Sequence, residues 1–171
     1  MSSHVSENPY LVQENGEWIL VLERSFEHPV EDVWAALTKA DQMSNWGPFT
    51  ADRDLTAVGS VKLAQINAPE AGETEGDVLE VSPPHLLILR WGSDILRWEL
   101  SREDDQTVLI LRHRFANHQD APSYAAGWHL CLKGLTGTLS GEEMPSMAGE
   151  NAFKYGWKEL YEQYSKQFGE K

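Results

Sequence analysis

Residues 107–115 read TVLILRHRF. Leu109, Leu111, His113 and Phe115 alternate there with Ile110, Arg112 and Arg114, the period of a strand that turns one face to a core and the other to water. The pattern puts two arginines outside and an imidazole inside. The preceding run, Ile95 to Ser101, repeats it, with Leu96, Trp98 and Leu100 set against Arg97 and Glu99. Glu103-Asp104-Asp105-Gln106 joins the two runs, and a connection that short predicts an antiparallel hairpin. After Asn117 the period changes. Tyr124, Trp128, Cys131, Leu132, Leu135 and Leu139 recur at helical spacing, a stripe long enough to cross a sheet, and Ser140-Gly141 closes it.

Working backward, four more extended runs precede the hairpin: Asp52 to Ala57, Ser60 to Ile66, Glu75 to Val81 and Leu86 to Trp91. Pro83-Pro84 cannot donate ladder hydrogen bonds and forms a turn, as does Gly92-Ser93-Asp94, so the six runs predict an antiparallel meander. EWILVLERSF, Glu17 to Phe26, is one further strand. Between it and the meander, His28-Pro29 offers a helix start, with Glu31 and Asp32 near the positive helix end. Val30, Val33, Trp34 and Leu37 form the apolar stripe of that helix. A second short helix from Asp41 carries Met43 and Trp46 and stops at Gly47-Pro48.

Residues 1–15 read as a flexible arm ending in a turn at Asn15-Gly16, and residues 16–141 as the domain proper. Residues 142–171 read as a linker and an amphipathic helix whose apolar face is Phe153, Trp157, Leu160, Tyr161, Tyr164 and Phe168. Left in water, that face would be too large a patch. It is expected to pack on its own domain, against the sheet edge or the first helices, with a second copy of the chain as the alternative cover. Monomer and homodimer therefore both stay open.

At 171 residues the chain is about the size of one domain. Its formal charge of −13 would be repelled by a nucleic-acid backbone or an anionic membrane, so neither is an expected partner. The carboxylates are scattered and read as a solubility device; Glu70, Glu73, Glu75, Asp77 and Glu80 are the densest stretch. Cys131 is the only cysteine, which excludes an intramolecular disulfide. The first residues lack a signal-peptide pattern and no run reaches the ~18 apolar residues of a membrane span, so a cytoplasmic location is expected. Six histidines show neither HxH nor HExxH spacing, and no phosphate-binding glycine loop is present, so no metal and no cofactor is expected.

Four segments carry a family resemblance: HPVEDVWAALTKADQMSNWGP (His28 to Pro48), GDVLEVSPPHLLILRW (Gly76 to Trp91), TVLILRHRF (Thr107 to Phe115) and AAGWHLCLKGLTGTLSG (Ala125 to Gly141). Each resembles the corresponding part of the activator of heat-shock-protein-90 ATPase homologues, within the START-like superfamily. The resemblance implies an α+β helix-grip fold: a curved antiparallel sheet of six to seven strands wrapped around a long C-terminal helix. Two short helices follow the first strand, and a cavity lies between helix and sheet. In this frame Gly127 would let the helix approach the sheet while Trp128 points inward.

The feature the family shares is a pocket, so candidate site residues are those able to line it. Trp46, Trp91, Trp98, His113 and Trp128 are the candidates. For each tryptophan the competing reading is plain core packing, and for His113 a hydrogen-bonded core residue. Glu80 is a conceivable partner for His113, depending on which way its strand is phased. No catalytic residue is assigned; Cys131 reads as a buried thiol. The expected function is non-catalytic binding of a small apolar or amphipathic molecule, with His113 as its polar contact. One alternative is contact with a chaperone or client protein. A second is a polyketide cyclase-like enzyme, which would need another polar group beside His113.

Overall fold

The computed structural model describes residues 9–65, 73–141, 152 and 154–168. Eight strands form one curled antiparallel sheet. They are β1 (Tyr10–Glu14), β2 (Glu17–Phe26), β3 (Phe49–Ala51), β4 (Gly59–Gln65), β5 (Glu73–Ser82), β6 (Leu86–Trp91), β7 (Asp94–Glu103) and β8 (Gln106–Phe115). The strand order is β1-β2-β8-β7-β6-β5-β4-β3, so β3 to β8 are a meander and β2 closes on the far side of β8. The helices are α1 (Val30–Thr38), α2 (Ala40–Met43), α3 (Ala121–Leu139) and α4 (Trp157–Phe168). This is the helix-grip arrangement, an α+β sheet curled around α3.

Alternation fixes which side of the sheet meets α3. His113 pairs with Leu20 and Leu96, and Leu96 with Leu89, forming one inward row across four strands. Leu22, Leu111, Trp98 and Leu87 form the next. All eight side chains are buried. Arg97 and Arg112 sit opposite one another on the outer face and share Glu99. The stripe of α1 is buried as its spacing predicts: Val30, Val33, Trp34 and Leu37 all lie in the core.

At several places the chain departs from the pattern its sequence predicts. Residues 10–14 are not part of a loose arm: they form β1, because Asn15 and Gly16 take positive φ and turn the chain back onto β2. Strand count rises to eight accordingly. The run Asp52 to Ala57 is not a strand; the pairing segment is Phe49–Ala51, and Arg53 instead holds the following loop through the carbonyls of Asp54, Ala57, Gly59 and Ser60. In β5 a bulge inserts Leu79 between Val78, opposite Leu89, and Glu80, opposite Ile88. Glu80 is therefore exposed on the outer face and does not meet His113. Gly127 is not the close approach: a Cβ there would touch nothing within 4 Å, whereas one on Gly134 would stand 3.4 Å from the Cβ of Trp46.

Helix α4 packs on the back of α3, and its last turn reaches the residue that precedes the edge strand β1. Leu130 is buried beneath Ala152, Trp157 and Leu160, the Tyr164 hydroxyl meets His129 Nδ1 at 2.8 Å, and Gln167 Nε2 donates to the Pro9 carbonyl at 2.8 Å. With the sheet on one side and α4 on the other, α3 is buried over more than one face, which is why its apolar residues exceed a single stripe. Residues 1–8, the linker at 142–150, Ile66 at the end of the second meander run, Glu70 of the acidic stretch and Phe153 of the aromatic stripe lie outside the described residues.

Candidate functional site

Five elements deliver the five candidate residues to one place. Trp46 follows α2, Trp91 ends β6, Trp98 and His113 face inward from β7 and β8, and Trp128 points down from α3. Their rings meet mostly by their edges, the preferred geometry for aromatic quadrupoles. Trp46 lies 5.9 Å from Trp98, Trp98 5.4 Å from Trp128, Trp128 6.4 Å from Trp91, and Trp91 6.2 Å from His113. Trp46 is held in place by its indole N–H, which donates to the Ala36 carbonyl at 3.0 Å. Phe49, Phe115 and Tyr124 extend the cluster. Trp91 and Tyr124 are half-buried at its rim, while the other candidates are buried.

A line of hydrogen bonds crosses these rings. Trp128 Nε1–H donates to His113 Nδ1 at 2.9 Å, and His113 Nε2 lies 2.8 Å from Asp94 Oδ2. An indole N–H can only donate, so Nδ1 must carry its lone pair and the ring proton sits on Nε2, donated to Asp94. The two bonds thus fix one neutral tautomer. His113 is 0% exposed and both its nitrogens are engaged, so in this arrangement it offers a ligand neither donor nor acceptor, and it has no free lone pair for acid–base work. It is a fully hydrogen-bonded core histidine, with Asp94 in the place considered for Glu80.

Asp94 was not legible as a site residue, because an Asp after Gly92-Ser93 reads as turn chemistry. Its register does carry the signal: Asp94 pairs with Trp91 across the β6–β7 turn. Tyr124 stacks on His113 at 4.4 Å. Burial, reinforced by the negative charges of Asp94 and Asp120, pushes the Tyr124 phenol up to about 12. Burial alone pushes the Cys131 thiol up to about 12, so it is held as an inert thiol.

At the end of the cluster nearest α1 and α2, the hollow bounded by Met43, Trp46, Phe49, Leu55, Trp98 and Trp128 holds about 10 Å³. That is at the threshold for one water molecule. The rings have filled it. Trp91, Tyr124 and Asp94 form the half-buried rim of the cluster. A hollow of about 150 Å³ lies away from the rings, between the β2–α1 junction and the β7–β8 turn, with Glu27, His28, Arg102 and Asp105 in its wall. Among the described residues no group of three His, Cys, Asp or Glu side chains is placed to hold a metal, and no helix is long and apolar enough to cross a membrane.

A family model described as activator of Hsp90 ATPase homolog 1-like protein matches residues 27–140, more than half of the chain and every residue of the ring cluster. The chain belongs to this family. Among solved structures, CalU16 from Micromonospora echinospora superposes with a TM-score of 0.72 at 19% identity, over 98% of this chain and 100% of that one. A conserved protein of unknown function from Enterococcus faecalis gives 0.74 at 16% identity, over 93% and 89%. DynU16, described as a protein in the dynemicin biosynthetic locus, gives 0.64 at 20% identity, over 73% and 48%. At these identities the likeness establishes the fold. Among curated proteins none matches the chain significantly in sequence. Activator-like membership and a helix-grip fold thus rest on separate comparisons.

Proposed function

We propose that the chain binds one small apolar or amphipathic molecule between α3 and the sheet, seated on the tryptophan cluster. The observation that carries this reading is the convergence of Trp46, Trp91, Trp98 and Trp128 from four separate elements onto one layer, with Trp91 half-buried at its rim. Apolar walls with a few placed polar groups are the usual make-up of a small-molecule site. A structural relative described by its place in a biosynthetic locus, DynU16, fits a small-molecule role. Because the inner end of the layer is filled, binding draws on a more open form, and the measured affinity is lowered by the fraction of chains in that form.

Titration with phenylnaphthylamine, an uncharged apolar fluorophore, tests the reading through energy transfer from tryptophan. Saturation at one probe per chain is expected, and Trp91→Glu, which puts a carboxylate on the half-buried rim, is expected to weaken binding at least about tenfold at unchanged fold. Unsaturable uptake, or an affinity indifferent to Trp91→Glu, contradicts it.

A second reading, contact with a chaperone or client protein, is supported by the family membership and by Tyr155, just before α4, and Tyr161, within it, which stay 36% and 37% exposed. Paired Tyr155→Ser and Tyr161→Ser changes that leave probe binding intact but abolish capture of a purified chaperone would favour it.

A further inference from the structure

Asp94 is the first residue of β7, level with half-buried Trp91 across the turn. Its side chain is 17% exposed, and its one ion-pair contact among the described residues is His113. That ring is the neutral tautomer, since Trp128 occupies Nδ1, so it brings a hydrogen bond and no charge. The Tyr124 hydroxyl near Asp94 is likewise uncharged. Arginines on neighbouring strands are engaged elsewhere: Arg90 with Asp77, Arg97 and Arg112 with Glu99, Arg114 with Glu14 and Glu17.

A mostly buried carboxylate normally has a cation beside it, because the desolvation of an unmatched charge is expensive. Among the described residues Asp94 has hydrogen-bond donors in His113 and Tyr124 and the ring of Trp91 across the turn, with no ion pair to a lysine or arginine. Aromatic faces next to a carboxylate make a site that favours an ammonium group. We propose that the molecule bound at this cluster carries a protonated amine, which pairs with Asp94 while its apolar body lies against Trp91 and the rings behind it. This rests on the ligand-binding reading above and adds the chemical class of the ligand.

The alternative is that Asp94 only orients His113. Three probes of one shape separate the two: naphthylmethylamine, methylnaphthalene and naphthylacetate, each titrated calorimetrically against wild type and Asp94→Asn. An asparagine oxygen can still accept from His113 Nε2, so the variant removes the charge and keeps the hydrogen bond. The amine is expected to bind wild type about tenfold or more tighter than the neutral probe, as a charge-assisted hydrogen bond allows, and naphthylacetate weakest. Asp94→Asn is expected to erase the amine's advantage and leave methylnaphthalene unchanged. An amine that binds wild type no better than methylnaphthalene, or that keeps its advantage in Asp94→Asn, overturns this inference while the ligand-binding reading stands. If none of the three binds, that reading falls and this one with it. If Asp94→Asn does not fold, the wild-type contrast between amine and neutral probe decides alone.

Discussion

Replacing Trp128 with Phe keeps a ring in the cluster and deletes the indole N–H that reaches His113 Nδ1 at 2.9 Å. His113 is fully buried, so bulk water does not reach its Nδ1 in the native fold. A buried acceptor left without a donor costs ~1–3 kcal/mol, and the smaller ring forfeits about 1 kcal/mol of burial, so Trp128→Phe is expected to cost about 2–4 kcal/mol in all. In a His113→Leu background no acceptor remains to be orphaned, and the same substitution is expected to cost about 1 kcal/mol or less. The double-mutant cycle should then report a coupling of ~1–3 kcal/mol. Urea denaturation followed by circular dichroism measures all four proteins, provided the slope with denaturant is unchanged. Arg112→Ala, on the outer face, serves as a control expected to cost under ~1 kcal/mol. Equal losses for Trp128→Phe in the two backgrounds would refute the claim that the hydrogen bond, and not ring packing alone, holds His113.

Further outcomes follow from the same geometry. Gly127→Ala is expected to raise stability by ~0.5–1 kcal/mol, since its Cβ meets open space inside a helix. Gly76→Ala is expected to destabilise strongly because its Cβ would fall 2.4 Å from the Arg90 carbonyl oxygen, and a thermal melt of both variants checks the contrast. The raised phenol of Tyr124 keeps its proton in the fold after the unfolded chain has lost it. Stability from this group is therefore complete below pH about 10 and lost as pH rises toward about 12. Tyr124→Phe should flatten that part of the alkaline denaturation curve. Truncation after Gly149 removes the cover of Leu130 and is expected to lower the melting temperature; a monomer as stable as the parent would show that α4 contributes nothing to its own domain. Cys131 should react with a thiol reagent only as fast as the chain unfolds.

Much of the fold was legible because burial on one face forces a readable period. TVLILRHRF placed His113 inside and its arginines outside, and the spacing of Val30 to Leu37 and of Tyr124 to Leu139 placed α1 and α3. Pairing at the sheet edges was not legible. Tyr10–Glu14 is an edge strand with Tyr10 and Val12 exposed, so no buried face marks it, and Phe49–Ala51 is too short for alternation to register. The five candidate rings were identified from their inward phase, yet one of the two bonds that fix His113 goes to Asp94, whose turn-like context hid it. Gly127 and Gly134 share the same long helix, and choosing between them required knowing that Trp46 packs over Gly134.

Whether the ring cluster holds a small molecule can be read from the mass of the native protein. Native mass spectrometry of the chain purified from its own host tests it most directly. A folded protein carrying one small-molecule adduct per chain is expected, the adduct displaced by phenylnaphthylamine and lost in Trp91→Glu. A folded protein found only at the mass of the bare chain would contradict it.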